Sequence, residues 1–272
     1  MQAAADCGII GKKTESGEDM KSSDYIGVMD SGVGGISVLR ELRRLMPDER
    51  YLFFGDSANA PYGSRPAEEI RRLTMAIAEK LFDRGCKALV IACNTATSAA
   101  VDTLRSTWPD RIIVGIEPAL KPAADRFPGG NIGVMATEVT LREAKFAALM
   151  SRFSDTCRVS KLPMPGLVEL VEQGLADSPQ MDAFLRKNLE NYVGKLDALV
   201  LGCTHYPFAK ASLRRVLGDE VVLLDGGEGT ARETRRRLAE AGLLYEGPGE
   251  LLIENSAKDP AMIELCKKLL QE

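Results

Sequence analysis

The chain has 272 residues, 45% of them hydrophobic and 27% charged, and a formal net charge of −4 at pH 7. This is globular composition, with enough apolar material for one large domain or two smaller ones. It leaves no electrostatic footprint for nucleic acid, and no apolar run approaches the ~18 residues that a membrane span needs.

The first 25 residues carry scattered charges and lack the apolar core of an export signal, so they read as a flexible tail on a cytoplasmic protein. The six cysteines (7, 86, 93, 157, 203 and 266) are then expected as reduced thiols. With no Cys-x-x-Cys pair and a single histidine, His205, a structural zinc site is not expected.

From Ile26 onward short apolar runs alternate with amphipathic stretches. Ile26–Met29 reads as a strand, Ile36–Met46 as a helix stopped by Pro47, and Tyr51–Phe54 as the next strand. Ser64–Arg84 reads as a helix with Ile70, Leu73, Ile77 and Leu81 on one face, followed by a strand at Ala88–Ala92, a helix at Asn94–Thr107 and a strand at Ile112–Ile116. Strands separated by helices imply right-handed crossovers and a mainly parallel sheet.

The series then restarts. Ile132-Gly133-Val134-Met135 repeats Ile26-Gly27-Val28-Met29, and Ala198-Leu199-Val200-Leu201-Gly202-Cys203 echoes Ala88-Leu89-Val90-Ile91-Ala92-Cys93. Cys93 stands 67 residues beyond Ile26, and Cys203 stands 71 beyond Ile132. Between them lie predicted helices at Val139–Phe153, Leu167–Gly174 and Met181–Val193, with strands near Val159 and at Leu196–Leu201. A last strand falls at Val221–Leu224. The pattern predicts two pseudo-symmetric α/β domains with the active site between them. The first is 26–118 plus 229–272 and the second is 119–228.

Ligands of parallel α/β sheets sit beyond the carboxyl ends of the strands, where Cys93 and Cys203 stand. Thiols facing one small ligand from opposite sides are what racemisation needs: one removes a proton from a tetrahedral carbon and the other delivers one to the opposite face. An ordinary thiol pKa of about 8.5 lets small shifts supply thiolate on one side and thiol on the other. Buried structural cysteines would fall within the apolar runs, whereas these two follow them.

Asp30-Ser31-Gly32-Val33-Gly34-Gly35 joins a strand to a helix, a place where backbone amides bind anions. Asp30 there could orient a thiol, hold an ammonium or cap the helix. His205 could serve as a proton partner of Cys203 or as hydrogen-bonding scaffold. A thiol hydrolase with His205 as base would leave the second cysteine unused, and a two-lobed amino-acid binding protein would need neither.

With these residues assembled, the chain resembles the glutamate racemase family, within the cofactor-independent aspartate/glutamate racemase superfamily. The matching stretches are Asp30-Ser31-Gly32 with Gly34-Gly35, Gly55-Asp56-Ser57, Pro61-Tyr62-Gly63, Cys93-Asn94-Thr95, Ala136-Thr137 with Thr140, and Gly202-Cys203-Thr204-His205-Tyr206-Pro207.

The resemblance implies a two-base mechanism with Cys93 and Cys203 and without pyridoxal phosphate, metal or nicotinamide; no cofactor is expected. It places Asp30 and Asp56 near the first thiol, and Glu172 and His205 near the second. Asp30, Ser31, Pro61, Tyr62, Gly63, Asn94, Thr95, Thr137, Thr140, Thr204 and His205 are the implied substrate-binding residues. The family usually shows Phe-Val-Pro-Leu-Val-Glu where this chain has Leu167-Val168-Glu169-Leu170-Val171-Glu172, which leaves Glu169 and Glu172 both open as support for Cys203.

The implied partners are L- and D-glutamate, with a sister enzyme for aspartate as the alternative. A homodimer is expected, and a cell-wall precursor could act as activator. D-glutamate would feed peptidoglycan synthesis. A dicarboxylate can be held by helix N-termini and hydroxyls without Arg or Lys. Closure of the halves by hinge motion near 116–120 and 226–230 would exclude water.

Overall fold

The structure, a computed structural model, describes residues 20–142, 144–153 and 155–271. Residues 1–19 of the predicted tail, with Cys7, lie outside the described residues. Strands β1 (Ile26–Asp30), β2 (Arg50–Gly55), β3 (Ala88–Ile91) and β4 (Ile112–Gly115) pair in the order β4-β3-β1-β2, all parallel. Strands β5 (Asn131–Ala136), β6 (Arg158–Pro163), β7 (Ala198–Leu201) and β8 (Val222–Asp225) pair in the order β8-β7-β5-β6, again all parallel. The second sheet thus repeats the strand order of the first.

The repeat extends to register. Ile26, Gly27, Val28 and Met29 pair with Ala88, Leu89, Val90 and Ile91; Ile132, Gly133, Val134 and Met135 pair with Ala198, Leu199, Val200 and Leu201. Strands covered by helices on both faces have no polar side, which is why they read as unbroken apolar runs. Ile26, Val28, Met29, Ile132, Val134 and Met135 are all fully buried. Each such side chain contributes roughly 1.5–3 kcal/mol relative to exposure.

Crossovers in the first half are α1 (Ile36–Leu45), α2 (Ala67–Asp83) and α3 (Asn94–Thr107). The helix predicted from Ser64 begins three residues later. Pro66 disfavours a helical Arg65 before it, so Tyr62–Ser64 forms a separate 3-10 turn. A short helix that the sequence reading missed, α4 (Leu120–Arg126), leads into β5; it tolerates Pro122 because that residue lies in the first turn.

Helical segments α5 (Glu138–Arg142) and α6 (Ala144–Ser151) occupy the predicted Val139–Phe153 span. Then come α7 (Leu167–Glu172) and α8 (Pro179–Leu189), followed by a 3-10 turn at Glu190–Tyr192 in place of the predicted continuation to Val193. Pro179 sits at the start of α8, and the Ser178 hydroxyl caps it by accepting from the Met181 amide at 3.2 Å. The strand expected from Leu196 starts at Ala198.

After α9 (Lys210–Leu217) and β8, α10 (Gly227–Glu240) packs against α1 and β4. Strand β9 (Glu250–Asn255) joins the first sheet beside β2, and α11 (Pro260–Gln271) packs on α1 and β9. The chain crosses between the sheets twice, near Glu117 and Gly226, and the crossings touch: a Cβ at Gly226 would stand 2.3 Å from the Glu117 carbonyl oxygen.

Candidate active site

Each cysteine stands just past the end of its strand. Cys93 is the N-cap of α3, and its sulfur accepts a hydrogen bond from the Ala96 amide at 3.4 Å. Cys203 follows β7 and precedes a 3-10 turn (Tyr206–Ala209), so it lacks that helical setting. Both thiols are nearly buried, at 5% and 9% exposure, and both line one cavity of about 430 Å³ between the sheets.

Burial pushes the Cys93 thiol up to about 12, with the Asp30 and Cys203 charges adding to it; the Ser31 hydroxyl at 3.5 Å and the Ala96 amide pull the other way. Cys93 is therefore held as a thiol at neutral pH, the state of an acid ready to deliver a proton.

Around Cys203 the chain builds a relay. His205 Nδ1 lies 3.9 Å from the Cys203 sulfur, and its Nε2 lies 3.1 Å from Glu172 Oε1. Burial pulls the imidazolium down and is the largest single influence. The hydrogen bonds to Cys203 and Glu172, with the Cys203 and Asp30 charges, outweigh it and raise the ring from 6.5 to about 10.

This shift carries a linkage prediction. A base whose folded pKa is raised stabilises the fold fully below its unfolded pKa and loses that contribution as pH rises through the folded value. The wild-type advantage in unfolding free energy over His205→Gln is therefore expected to shrink between pH 6.5 and about 10. Denaturant titrations across that range check it; an advantage that grows with pH would contradict the assignment.

Of the two glutamates left open by the sequence, Glu172 is the one within hydrogen-bond distance of His205; Glu169 is exposed and lines the cavity.

Asp30 stands behind the cavity. It is fully buried, and its Oδ1 accepts from the Gly32 amide and its Oδ2 from the Thr204 hydroxyl, each at 2.9 Å. Burial raises its pKa, against the lowering pull of His205, the Gly32 amide and the Thr204 hydroxyl. Asp30 thus joins the two halves, and it is not among the residues that line the cavity.

Asp56 likewise acts at one remove: it accepts from Tyr62 Oη at 2.6 Å and from Asn59 Nδ2 at 3.0 and 3.1 Å, and so holds the loop of Pro61, Tyr62 and Gly63 on the cavity wall. The glycine-rich stretch also lets the two halves approach closely. A Cβ at Gly32 would meet Glu172 Oε1 at 2.5 Å, and one at Gly34 would meet His205 Nδ1 at 2.4 Å. These glycines let the second half's histidine and glutamate seat against the first half.

Three hydroxyls close a triangle: Thr95 to Thr137 at 3.2 Å, Thr95 to Thr140 at 3.2 Å and Thr137 to Thr140 at 3.0 Å. Thr95 and Thr137 line the cavity, as do Ser31 and Thr204, whereas Thr140 supports them from behind. Asn94 Oδ1 is buried with no hydrogen-bond partner among the described residues, and so is the hydroxyl of Tyr206, which also lines the cavity.

The sequence reading missed most of the mouth. Arg142, paired with Glu138 at 2.9 Å, stands there as a cation where none was expected. Met164, Pro165 and Gly166 of the β6–α7 turn complete the wall. Helical position alone cannot show that α5 and α7 face one cavity.

Among the described residues no group of three or more His, Cys, Asp or Glu side chains is arranged to hold a metal ion. No described helix is long and apolar enough to cross a membrane.

The geometry can be set beside known proteins. Residues 26–234 match the Asp/Glu/hydantoin racemase family. A glutamate racemase of Clostridium botulinum (strain Alaska E43 / Type E3) is 46% identical over 254 residues, covering 92% of this chain and 98% of the relative. The structure of Thermus thermophilus glutamate racemase in complex with β-chloro-D-alanine superposes with a TM-score of 0.77 at 39% identity, covering 93% of this chain and 94% of that one. Escherichia coli glutamate racemase in complex with L-glutamate and the activator UDP-MurNAc-Ala gives a TM-score of 0.78 at 32% identity, covering 91% and 94%. On sequence and fold together, the chain belongs to the Asp/Glu/hydantoin racemase family and is an amino-acid racemase.

Proposed function

We propose that the chain interconverts L- and D-glutamate, with Cys93 and Cys203 as the acid/base pair and no cofactor. The observation that carries this reading is two thiols, each at a strand end of a duplicated half, on the walls of one cavity. One thiolate removes the α-proton, and the opposite thiol delivers a proton to the other face; the roles exchange with direction.

In the resting site Cys93 supplies the thiol, and His205 stands beside Cys203, with its Nδ1 3.9 Å from the sulfur, as the group that can exchange a proton with it. The carbanion has no cofactor to delocalise it, so the cavity relies on donors held in place and on water exclusion. The Thr95, Thr137, Ser31 and Thr204 hydroxyls are the donors for the substrate carboxylates. The substrate ammonium is the donor that Asn94 Oδ1 lacks.

That its relatives are glutamate racemases, one of them bound to L-glutamate, supports glutamate rather than aspartate as the substrate of this chain. Parallel polarimetry with L-glutamate and L-aspartate tests this: optical activity is expected to decay with glutamate at least about tenfold faster, a difference of about 1.4 kcal/mol in the barrier. Equal or reversed rates would overturn the substrate.

Supply of D-glutamate for peptidoglycan in the cytoplasm, a homodimer, and activation by a cell-wall precursor of the kind bound to the Escherichia coli relative belong to the same proposal. So does the division into domains 26–118 with 229–272 and 119–228, closing by hinge motion at the touching crossings.

A further inference from the structure

The segment that carries Cys203 and His205 has a gap in its own hydrogen bonding. In the turn that follows β7, the Cys203 carbonyl accepts from the Tyr206 amide at 3.1 Å and the His205 carbonyl from the Phe208 amide at 3.3 Å. By the same spacing the Thr204 carbonyl would take the amide of residue 207. That residue is Pro207, which has no N–H. Thr204 is 4% exposed, so its carbonyl needs a protein donor.

The donor comes from the other half. Ser37, in the first turn of α1, places its hydroxyl 2.9 Å from the Thr204 carbonyl oxygen and also 2.9 Å from the Gly34 carbonyl of its own helix start. A serine hydroxyl has one proton and can direct it to only one of the two.

We infer that Ser37 is a positioning residue: its hydroxyl supplies the bond that Pro207 denies to Thr204, and thereby seats the Cys203–His205 segment on the half that carries Cys93. The inference rests on the proposed two-thiol reading for its effect on turnover, but not for its effect on the segment itself.

The Thr204 hydroxyl also donates to Asp30, so the first half holds Thr204 at both its side chain and its carbonyl. Misplacing a reacting group by even an ångström costs large factors in rate, so loss of this seating acts on kcat before it acts on binding.

The test compares Ser37→Ala with Ser37→Thr, which keeps the hydroxyl. Ser37→Ala is expected to lower kcat about tenfold from either enantiomer while KM changes less than about threefold, and Ser37→Thr to restore kcat to within about threefold of wild type. Amide exchange in residues 203–209, read by mass spectrometry, is expected to quicken about tenfold in Ser37→Ala and to return in Ser37→Thr.

Unchanged exchange in 203–209 would overturn the inference, as would a Thr variant no better than Ala. Exchange that quickens equally throughout β3 and β7 would also overturn it, since that marks general destabilisation. Should the wild-type protein fail to racemise glutamate, the functional reading falls, and the exchange comparison still decides the role of Ser37.

Discussion

Alanine at Cys93 or at Cys203, one at a time, is expected to lower racemisation from either enantiomer by about 10³-fold, the middle of the range that a positioned acid or base supplies. Both directions must fall together: the enantiomers have equal free energies, so kcat/KM is the same in each direction for any variant. The two variants are expected to part company in proton exchange. Each retains one thiol on one face, so each should still exchange the α-proton of one enantiomer with solvent, and the enantiomer should differ between Cys93→Ala and Cys203→Ala. Proton NMR in D2O reads this directly. A hydrolase with one nucleophilic cysteine would depend on one of the two residues and be indifferent to the other. That outcome would contradict the account.

Substitution of Lys87 by methionine is expected to cost about 3–5 kcal/mol of stability, because it strands a buried carboxylate. Lys87 and Glu49 have side-chain exposures of 0% and 1%, and they pair at 2.6 Å just before β3 and β2. Burial lowers the Lys87 pKa, and the Glu49 bond and charge oppose it. The ammonium also donates to the Ser22 and Leu243 carbonyls, and the Tyr245 amide donates to Glu49 at 2.9 Å. The group ties the approach to β1 and the segment after α10 to the start of the first sheet, at the opposite ends of the strands from the thiols. Urea unfolding checks the magnitude. A double variant, Lys87→Met with Glu49→Leu, is expected to recover part of the loss, since no uncompensated charge remains. A loss below about 1 kcal/mol for Lys87→Met would show that water reaches the pair.

The strands that position the site were legible because parallel strands with two covered faces must be apolar throughout, as at Ala88–Ile91 and Ala198–Leu201. The duplication was legible for the same reason, and the repeated register shows why the tetrads match: each glycine lies where neighbouring side chains crowd, with the Leu199 Cδ1 atom 2.8 Å from a Cβ at Gly133. Strand β9 was missed because it is an edge strand of mixed exposure bounded by Glu250 and Asn255. What the sequence could not carry is distance across the cavity. The contacts of Ser37 and Asp30 with Thr204 join residues 167 and 174 positions apart, and no local pattern marks them. The same holds for Arg142 at the mouth, which reads as one more exposed helix cation until α5 is seen against the thiols.

The central claim is that two different thiols serve the two faces of one carbon. It is tested most directly by the label in the first turnovers of L-glutamate in D2O. Each thiol holds a single proton, so the account predicts that nearly every newly formed D-glutamate molecule carries α-deuterium while the remaining L-glutamate stays largely unlabelled. Starting from D-glutamate, the mirror result is expected. Transfer of the substrate's own proton into the product, or deuterium appearing equally in substrate and product from the start, would point to a single base serving both faces and would contradict the account.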